Sequence, residues 1–429
     1  MIFAAGALLP QEELPALLDT LEERLNETRS GPPLDVDVVL DAVDRLGRAL
    51  DSGELDPLLA QYAPPSALEE LREVRGMIRR ETLEERIQLE LGDLRPGTWV
   101  ERPFGRTLVQ PLGVLLHITP GNQPGLPLFS ALEGLLTGNL NLIKLPHGDR
   151  GLTLAALKLL TQREPRLAPW LYAFAVSSRD ADTLERLAAL ADGVVTWGGD
   201  GAVSALRRLA PPGCKLMEWG HRLSFAYLSR WEGEEDALSA LAEHLIQTGG
   251  LLCSSCQVIF LDTDALGEGE AFCRSFLPLL ERAADRFRAA LGEKGEGSLY
   301  AWETRLEHAA DRLPGTLFPG RGCSLTLRED RELELSPLHG NVLVKCLPQK
   351  ALLPVLRRQK GRLQTAGLLC PAQDRPALTQ LLARAGVTRI APPGSMSRTL
   401  SGEGHDGEFP LRRYVRTVDI QEPSPDRPI

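Results

Sequence analysis

The chain lacks several features that would assign it to a class at once. No stretch approaches the roughly eighteen consecutive apolar residues that a membrane-spanning helix requires, so no membrane span is expected. Basic residues are outnumbered, 48 Lys and Arg against 58 Asp and Glu, for a net charge of -10, and no basic stripe breaks that excess. Nucleic-acid binding draws on clustered cations and is not expected. The excess of acid reads as solubility. The seven cysteines are an odd number scattered through a large chain, a pattern of a reducing cytoplasm rather than of a disulfide framework. No second Cys-x-x-Cys and no His-x-x-x-His accompanies Cys253 and Cys256. A structural zinc, which needs four close nitrogen or sulfur ligands, is therefore not expected. The opening MIFAAGALLPQEELPALL has no basic flank and no small-residue cleavage site, and Pro10 with two glutamates interrupts it. It reads as an ordinary N-terminal segment and not as a signal peptide. There is no internal repeat.

What is present is an ordinary globular composition, 43% hydrophobic and 25% charged, over 429 residues. That length suggests ~2–3 domains rather than one core. Residues Gln11 to Asp93 carry apolar residues at three and four spacing, as in PALLDTLEERL and VVLDAVDRLGRAL, with a Pro-rich break at YAPPS, and predict helices. From Gly113 short apolar runs alternate with amphipathic stretches: GVLLHIT, PLFSALEGLLTG, LNLIKLP, LTLAALKLLTQ, WLYAFAVS, ADTLERLAALAD, GVVTWG, AVSALRRLA. This alternation predicts βαβ units and a parallel sheet, with ligands beyond the carboxyl ends of its strands. A second α/β series follows Gly220, from LSFAYLS through CQVIFLD, NVLVKCL and TAGLLC to VTRIAP. The tail is polar and Gly-rich from Ser395, and EPSPDRPI reads as disordered.

The stretch GGLLCSSCQVIFLD sets two cysteines three apart between a helix and a strand. A thioredoxin-type pair sits instead at a helix N-terminus after a strand. Two small buried hydrophobes and a nucleophile are the other readings, and a nucleophile needs partners elsewhere. Four candidates stand at strand ends. Asn122, in PGNQP, could donate to an oxyanion or simply form a turn. Lys144 ends LNLIKLP, where a cation holds ribose or phosphate or is merely solvated. Gly198 and Gly199 lie in a strand-to-helix turn that suits phosphate but has neither dinucleotide nor P-loop spacing. Glu218, in KLMEWGHRLSF, could be an acid or base, or an edge carboxylate in solvent.

Taken in order, Asn122, Lys144, Gly198, Glu218-Trp219-Gly220 and Cys253 resemble the aldehyde dehydrogenase superfamily, over about Thr98 to Ile420. The closer resemblance is to its LuxC-like branch, the fatty acyl-CoA reductases. It is carried by LLCSSCQVIFLD, EWGHRLSFAYL, GVTRIAPPGSMSR and HDGEFPLRRYVRTVDI. The resemblance implies a Rossmann-type cofactor domain, an α/β catalytic domain and a helical N-terminal segment. The implied boundaries are 1–95 for a helical segment packed on the cofactor domain, 96–220 for the nicotinamide domain and 221–395 for the cysteine domain. Residues 396–429 form a tail that serves oligomerisation in part or returns to the cofactor domain.

The same resemblance implies that Cys253 is the nucleophile, with Cys256 where the branch usually carries Pro. Asn122 becomes an oxyanion donor and Glu218 a proton relay. Thr119, Pro120, Lys144, His147, Gly198 and Gly199 become contacts to the cofactor. NAD-preferring relatives carry Glu three residues after the strand-end Lys, and here that place is His147, so NADPH is the expected cofactor. The implied reaction is reduction of an acyl-CoA or another acyl thioester to an aldehyde through a Cys-bound acyl group. A homo-oligomer and an acyl-protein synthetase partner are implied by analogy. Two departures stand out. GLL replaces the Gln that precedes the cysteine, and LSPLHGNVLV replaces the Glu-x-Phe-Gly element, so no residue is assigned to the nicotinamide ribose. The alternatives are acyl-phosphate reduction, aldehyde oxidation, or a non-catalytic scaffold for an acyl-activating partner; Asn122, Glu218 and Cys253 argue against the last.

Overall fold

In a computed structural model, residues 1–61, 78–121, 125–291, 296–310, 314–400 and 402–421 are described. The YAPPS break, Asn122 and the EPSPDRPI tail lie outside the described residues. The chain divides into two units, Met1–Gly220 with Leu400–Ile429, and His221–Thr399.

The first unit is built on a sheet whose strands read as near-continuous apolar runs because both faces are covered. β1 (Ile2–Ala4) and β2 (Ala7–Leu9) form a hairpin; then come β3 (Trp99–Arg102), β4 (Gly105–Pro111), β5 (Val114–Ile118), β6 (Leu140–Lys144), β7 (Leu171–Phe174), β8 (Gly193–Trp197) and β9 (Lys215–Trp219). The large sheet has the order β2-β1-β7-β6-β5-β8-β9. β5 to β9 are parallel, and β1 pairs antiparallel with β7. The hairpin was not anticipated from sequence: Ala5 and Gly6 both have positive φ (46° and 92°), the two-residue turn that matches strand twist, but Ala-Gly is an unusual pair for it. The expected N-terminal helices appear at Leu14–Ser30, Val36–Asp51 and Arg80–Leu91, and their buried leucines join the core of this sheet.

The chain runs from β5 outward through β6 to β7, then returns to the other side of β5 for β8 and β9. Strand order therefore reverses between β5 and β8, and a doubly wound sheet binds ligands beyond the carboxyl ends at such a point. β3, β4 and a final strand pair antiparallel in a separate three-stranded sheet, which the sequence reading also missed.

The second unit carries β10 (Leu223–Leu228), β11 (Cys256–Leu261), β12 (Thr316–Pro319), β13 (Ser324–Arg328), β14 (Asn341–Cys346), β15 (Leu363–Leu369) and β16 (Arg389–Ala391). The order is β12-β13-β14-β11-β10-β15-β16, parallel except for the β12–β13 pair. β17 (Val415–Gln421) belongs to the first unit and is the partner of β4.

Candidate active site

Cys253 lies on the turn between the helix Glu235–Thr248 and β11. Gly249 caps the helix in the left-handed region (φ 56°), and Gly250 follows at φ 80°. A side chain at Gly250 would be strained by that positive φ, and its Cβ, 2.9 Å from Leu338 Cδ2, would also displace Leu338. The next residues expose an apolar surface, with Leu251 56% and Leu252 41% accessible. Cys253 is exposed as well.

Buried polar side chains hold the turn from below. Gln257 Nε2 donates to Gly250 O at 2.9 Å, and its Oε1 accepts from Ser336 N at 3.1 Å and Ser336 Oγ at 3.0 Å. Ser224 Oγ donates to Cys253 O at 2.7 Å. The loop that carries Ser336 continues into Leu338 and His339, both with positive φ (68° and 49°), and His339 N donates to Gly249 O at 2.8 Å. This is the LSPLHGN stretch that replaces the expected carboxylate element.

The two cysteines have opposite environments. Cys256 is buried at the start of β11, its Sγ bonded to Val258 O at 3.4 Å, and burial pushes its thiol up to about 12. A thiol in that state is not a nucleophile near neutrality. Cys256 N donates to His244 Nε2 at 3.3 Å; burial lowers His244 to about 4, so the ring is neutral and its lone pair accepts. No disulfide joins the seven cysteines, and among the described residues no three His, Cys, Asp or Glu side chains are grouped to hold a metal.

In the first unit, several residues expected to contact a cofactor gather where strand order reverses. Thr119 follows β5; it is buried, and among the described residues its Oγ1 has no hydrogen-bond partner. Pro120 comes next and is half-buried. Lys144 ends β6 with its Nζ 2.8 Å from Ser178 Oγ, and burial lowers its pKa. Gly198 and Gly199 follow β8, and Gly199 caps the helix Asp200–Leu209. A Cβ on Gly199 would meet nothing within 4 Å, so this helix start is open. A Cβ on Gly148 would stand 3.2 Å from Gly121 O, which brings the loops after β5 and β6 close together. An orphaned hydroxyl, a buried ammonium and an open helix N-terminus are donors of the kind that ribose hydroxyls and phosphates need. The residues present fit a nicotinamide dinucleotide.

His147 is exposed on the turn after β6. The nearby Asp149 carboxylate is committed elsewhere: it accepts from Thr153 N at 3.2 Å and from Thr153 Oγ1, tying down the helix Leu152–Arg163. Glu218 stands on β9 in a bidentate pair with Arg207, both N–O distances 2.6 Å. Both of its oxygens accept from the guanidinium.

Trp219, beside Glu218, is part of a cluster the sequence reading missed. Trp197 and Trp219 lie with ring centroids 5.5 Å apart, and His405 stands 5.0 Å from the first and 4.9 Å from the second. Trp197 Nε1 donates to Ser130 Oγ at 3.1 Å. The available signal was the Trp-Gly step that follows two successive strands, together with the His-Asp-Gly segment. Thus Thr119, Pro120, Lys144, His147, Gly198, Gly199 and Glu218 belong to the first unit and Cys253 to the second.

Comparison with known proteins shows the family and the fold. The family model described as acyl-CoA reductase (LuxC) matches residues 32–417. The long-chain acyl-protein thioester reductase of Aliivibrio fischeri is 26% identical over 339 residues, 76% of this chain and 67% of that protein. Its counterpart from Vibrio harveyi is 25% identical over 348 residues, 79% of this chain and 70% of that protein. Among solved structures, glyceraldehyde-3-phosphate dehydrogenase GapN from Methanocaldococcus jannaschii, complexed with NADP, superposes with a TM-score of 0.66 at 14% identity, covering 97% of this chain and 96% of that one. 3,6-Anhydro-L-galactose dehydrogenase gives 0.67 at 15%, covering 97% and 98%. The structural likeness shows an aldehyde dehydrogenase-like fold.

Proposed function

The chain belongs to the acyl-CoA reductase (LuxC) family, and from that premise we propose that it reduces an acyl thioester to the aldehyde through an acyl group carried on Cys253. The observation that carries the reading is the contrast between an exposed Cys253 on a braced turn and a buried Cys256 whose thiol stays protonated. The Cys253 thiolate attacks the acyl carbon, a new C–S bond forms, and the donor's thiolate departs and takes up a proton. The oxyanion of that step is held by the Cys253 backbone N–H and, on the sequence resemblance, by the Asn122 carboxamide. Thr119, Lys144 and Gly199 would hold a reduced nicotinamide dinucleotide, which would supply the hydride for reduction of the acyl group to the aldehyde. Cys253 is then released as the thiolate. Exposed Leu251 and Leu252 beside the thiol favour a hydrocarbon chain over a short polar one. The relatives named as long-chain acyl-protein thioester reductases support the same substrate class.

NADPH is the preferred form in this reading. His147 puts no fixed negative charge against a 2′-phosphate, the nearby Asp149 carboxylate is held by Thr153, and Lys144 offers a cation. Glu218 belongs to the proposal as a proton relay on the sequence resemblance, and both of its oxygens are engaged by Arg207. A homo-oligomer and an acyl-protein donor complete the proposal on the same resemblance.

The experiment is acyl labelling. Wild type and Cys256→Ala incubated with radiolabelled acyl-CoA should hold label through denaturing electrophoresis and consume NADPH at 340 nm. Cys253→Ala should do neither. Label that persists on Cys253→Ala and disappears from Cys256→Ala overturns the assignment.

A further inference from the structure

The motifs around Cys253 contain two serines that the reaction itself does not use, and the structure gives both a task. Ser224 is the second residue of β10 and is fully buried. Both neighbouring strands carry an extra residue opposite it. β11 advances from Cys256 to Val258 while β10 moves from Ser224 to Phe225, and β15 advances from Leu363 to Ala366 while β10 moves from Leu223 to Phe225. Bulges on two sides interrupt the backbone ladder at one point. The Ser224 hydroxyl fills the gap: it accepts from Thr365 N at 3.0 Å and donates its one proton to Cys253 O at 2.7 Å. That bond orients the peptide plane after Cys253.

Ser255, also fully buried, orients the plane before it. Its N–H donates to Leu252 O at 3.0 Å and its Oγ accepts from Leu252 N at 2.9 Å. The Leu252 carbonyl thus faces Ser255. In a trans peptide the N–H points away from the carbonyl, so the Cys253 N–H is directed to the opposite side from Ser255.

We infer that Ser224 and Ser255 are positioning residues for Cys253: the Ser224 hydroxyl locks the peptide plane after it, while Ser255 holds the plane before it through its main-chain N–H and, through its hydroxyl on Leu252 N, fixes the preceding residue, so that the Cys253 thiol and backbone N–H address one acyl carbonyl together. The inference rests on the reading of Cys253 as nucleophile. Its physical basis is preorganisation: a donor aimed in advance at a developing oxyanion costs no reorganisation when the charge appears.

Two reactions of the same thiol separate this role from a structural one. Alkylation by iodoacetamide displaces iodide at a saturated carbon and develops no oxyanion. Acylation by an acyl-CoA develops one. In the full-length protein, Ser224→Ala should slow the acylation burst by about 10- to 100-fold, and Ser255→Ala, which loses the hold on Leu252 N but keeps the main-chain bond to Leu252 O, by a smaller factor of about 3- to 10-fold, while alkylation of Cys253 stays within about threefold of wild type. Ser254→Ala is the control, because Ser254 Oγ bonds Ser397 Oγ at 2.7 Å and braces neither plane; both of its rates should stay near wild type. If Ser224→Ala fails to fold, Ser224→Cys, which keeps the shape but weakens both hydrogen bonds of the hydroxyl, carries the test. Unchanged acylation, or equal loss in both reactions, overturns the inference. Acyl-enzyme on Cys253→Ala would instead overturn the functional reading beneath it, so the two failures are distinguishable.

Discussion

At the scale of single residues, the environment decides which of several similar side chains can react. Cys253 and Cys256 are indistinguishable as letters, yet the first is exposed while burial pushes the second up to about 12. His147 and Asp149 show the same point. Both follow Lys144 closely, and either could face a ribose, but the Asp149 carboxylate is engaged by Thr153. The His147 position therefore decides the preference between cofactors in the proposed site. His147→Glu should weaken NADPH binding by about 10-fold and leave NADH unchanged or tighter, because a carboxylate repels a 2′-phosphate and accepts from a 2′-hydroxyl. Titration of both cofactors by tryptophan fluorescence checks this. Equal affinities in wild type, unaltered by the substitution, remove the argument.

At the scale of elements, the helix Leu126–Leu136 shows how a glycine can serve packing rather than flexibility. A Cβ on Gly134 would lie 1.8 Å from Asn141 Oδ1 on β6. That oxygen lies 3.0 Å from His117 Nε2, while Ser130 Oγ of the same helix lies 2.7 Å from His117 Nδ1. The Asn141 Nδ2 donates to Asn139 O, so its oxygen faces the ring, Nε2 carries the proton and Nδ1 accepts from Ser130. Gly134→Ala should destabilise the protein by about 2 kcal/mol or more through overpacking and loss of this buried chain, although alanine is the better helix former. Gly201→Ala, in the helix Asp200–Leu209 with nothing within 4 Å of the added atom, should be neutral or stabilising. Urea unfolding of both variants measures the contrast; equal effects would mean that helix propensity governs both sites.

At the scale of the whole molecule, each unit holds a buried neutral histidine, and together they set a pH dependence. Burial lowers both His117 and His244 to about 4, from an ordinary 6.5. In the unfolded chain each takes up a proton below pH 6.5, while the folded chain resists protonation until about pH 4. Stability is thus intact above pH 6.5 and falls as pH drops from 6.5 to 4, by up to about 3 kcal/mol for each histidine. Thermal unfolding between pH 7.5 and 4.5 should show this loss beginning near pH 6.5, above the usual carboxylate range. A midpoint that stays flat from pH 7 to 5 would contradict it. The first unit is also closed by a buried ionic network: Arg86 pairs with Glu90 at 2.5 Å and with Glu133, and Glu90 accepts from Leu411 N at 2.8 Å. A segment near the C-terminus is thereby joined to helices far earlier in the chain.

Much of this was legible in the sequence. The alternation of apolar runs and amphipathic stretches reports local periodicity, which is why the parallel strands and their helices, and with them the fold class, could be read directly. The order of Asn122, Lys144, Gly198, Glu218 and Cys253 was enough to suggest the aldehyde dehydrogenase superfamily, and segments such as LLCSSCQVIFLD and HDGEFPLRRYVRTVDI its LuxC-like branch, which the family model then matched. What remained hidden depends on partners distant along the chain. The β1–β2 hairpin is a strand pair because β7 offers it an edge; β4 pairs with β17 across about three hundred intervening residues of chain. Glu218 is an ion-paired carboxylate because a helix brings Arg207 to it. The difference between Cys253 and Cys256 arises from burial in a folded sheet, and Ser224 acquires its task only where two bulges leave a gap in the ladder. Periodicity is written in neighbouring residues, whereas burial, pairing and hydrogen-bond partners come into being only when remote segments meet.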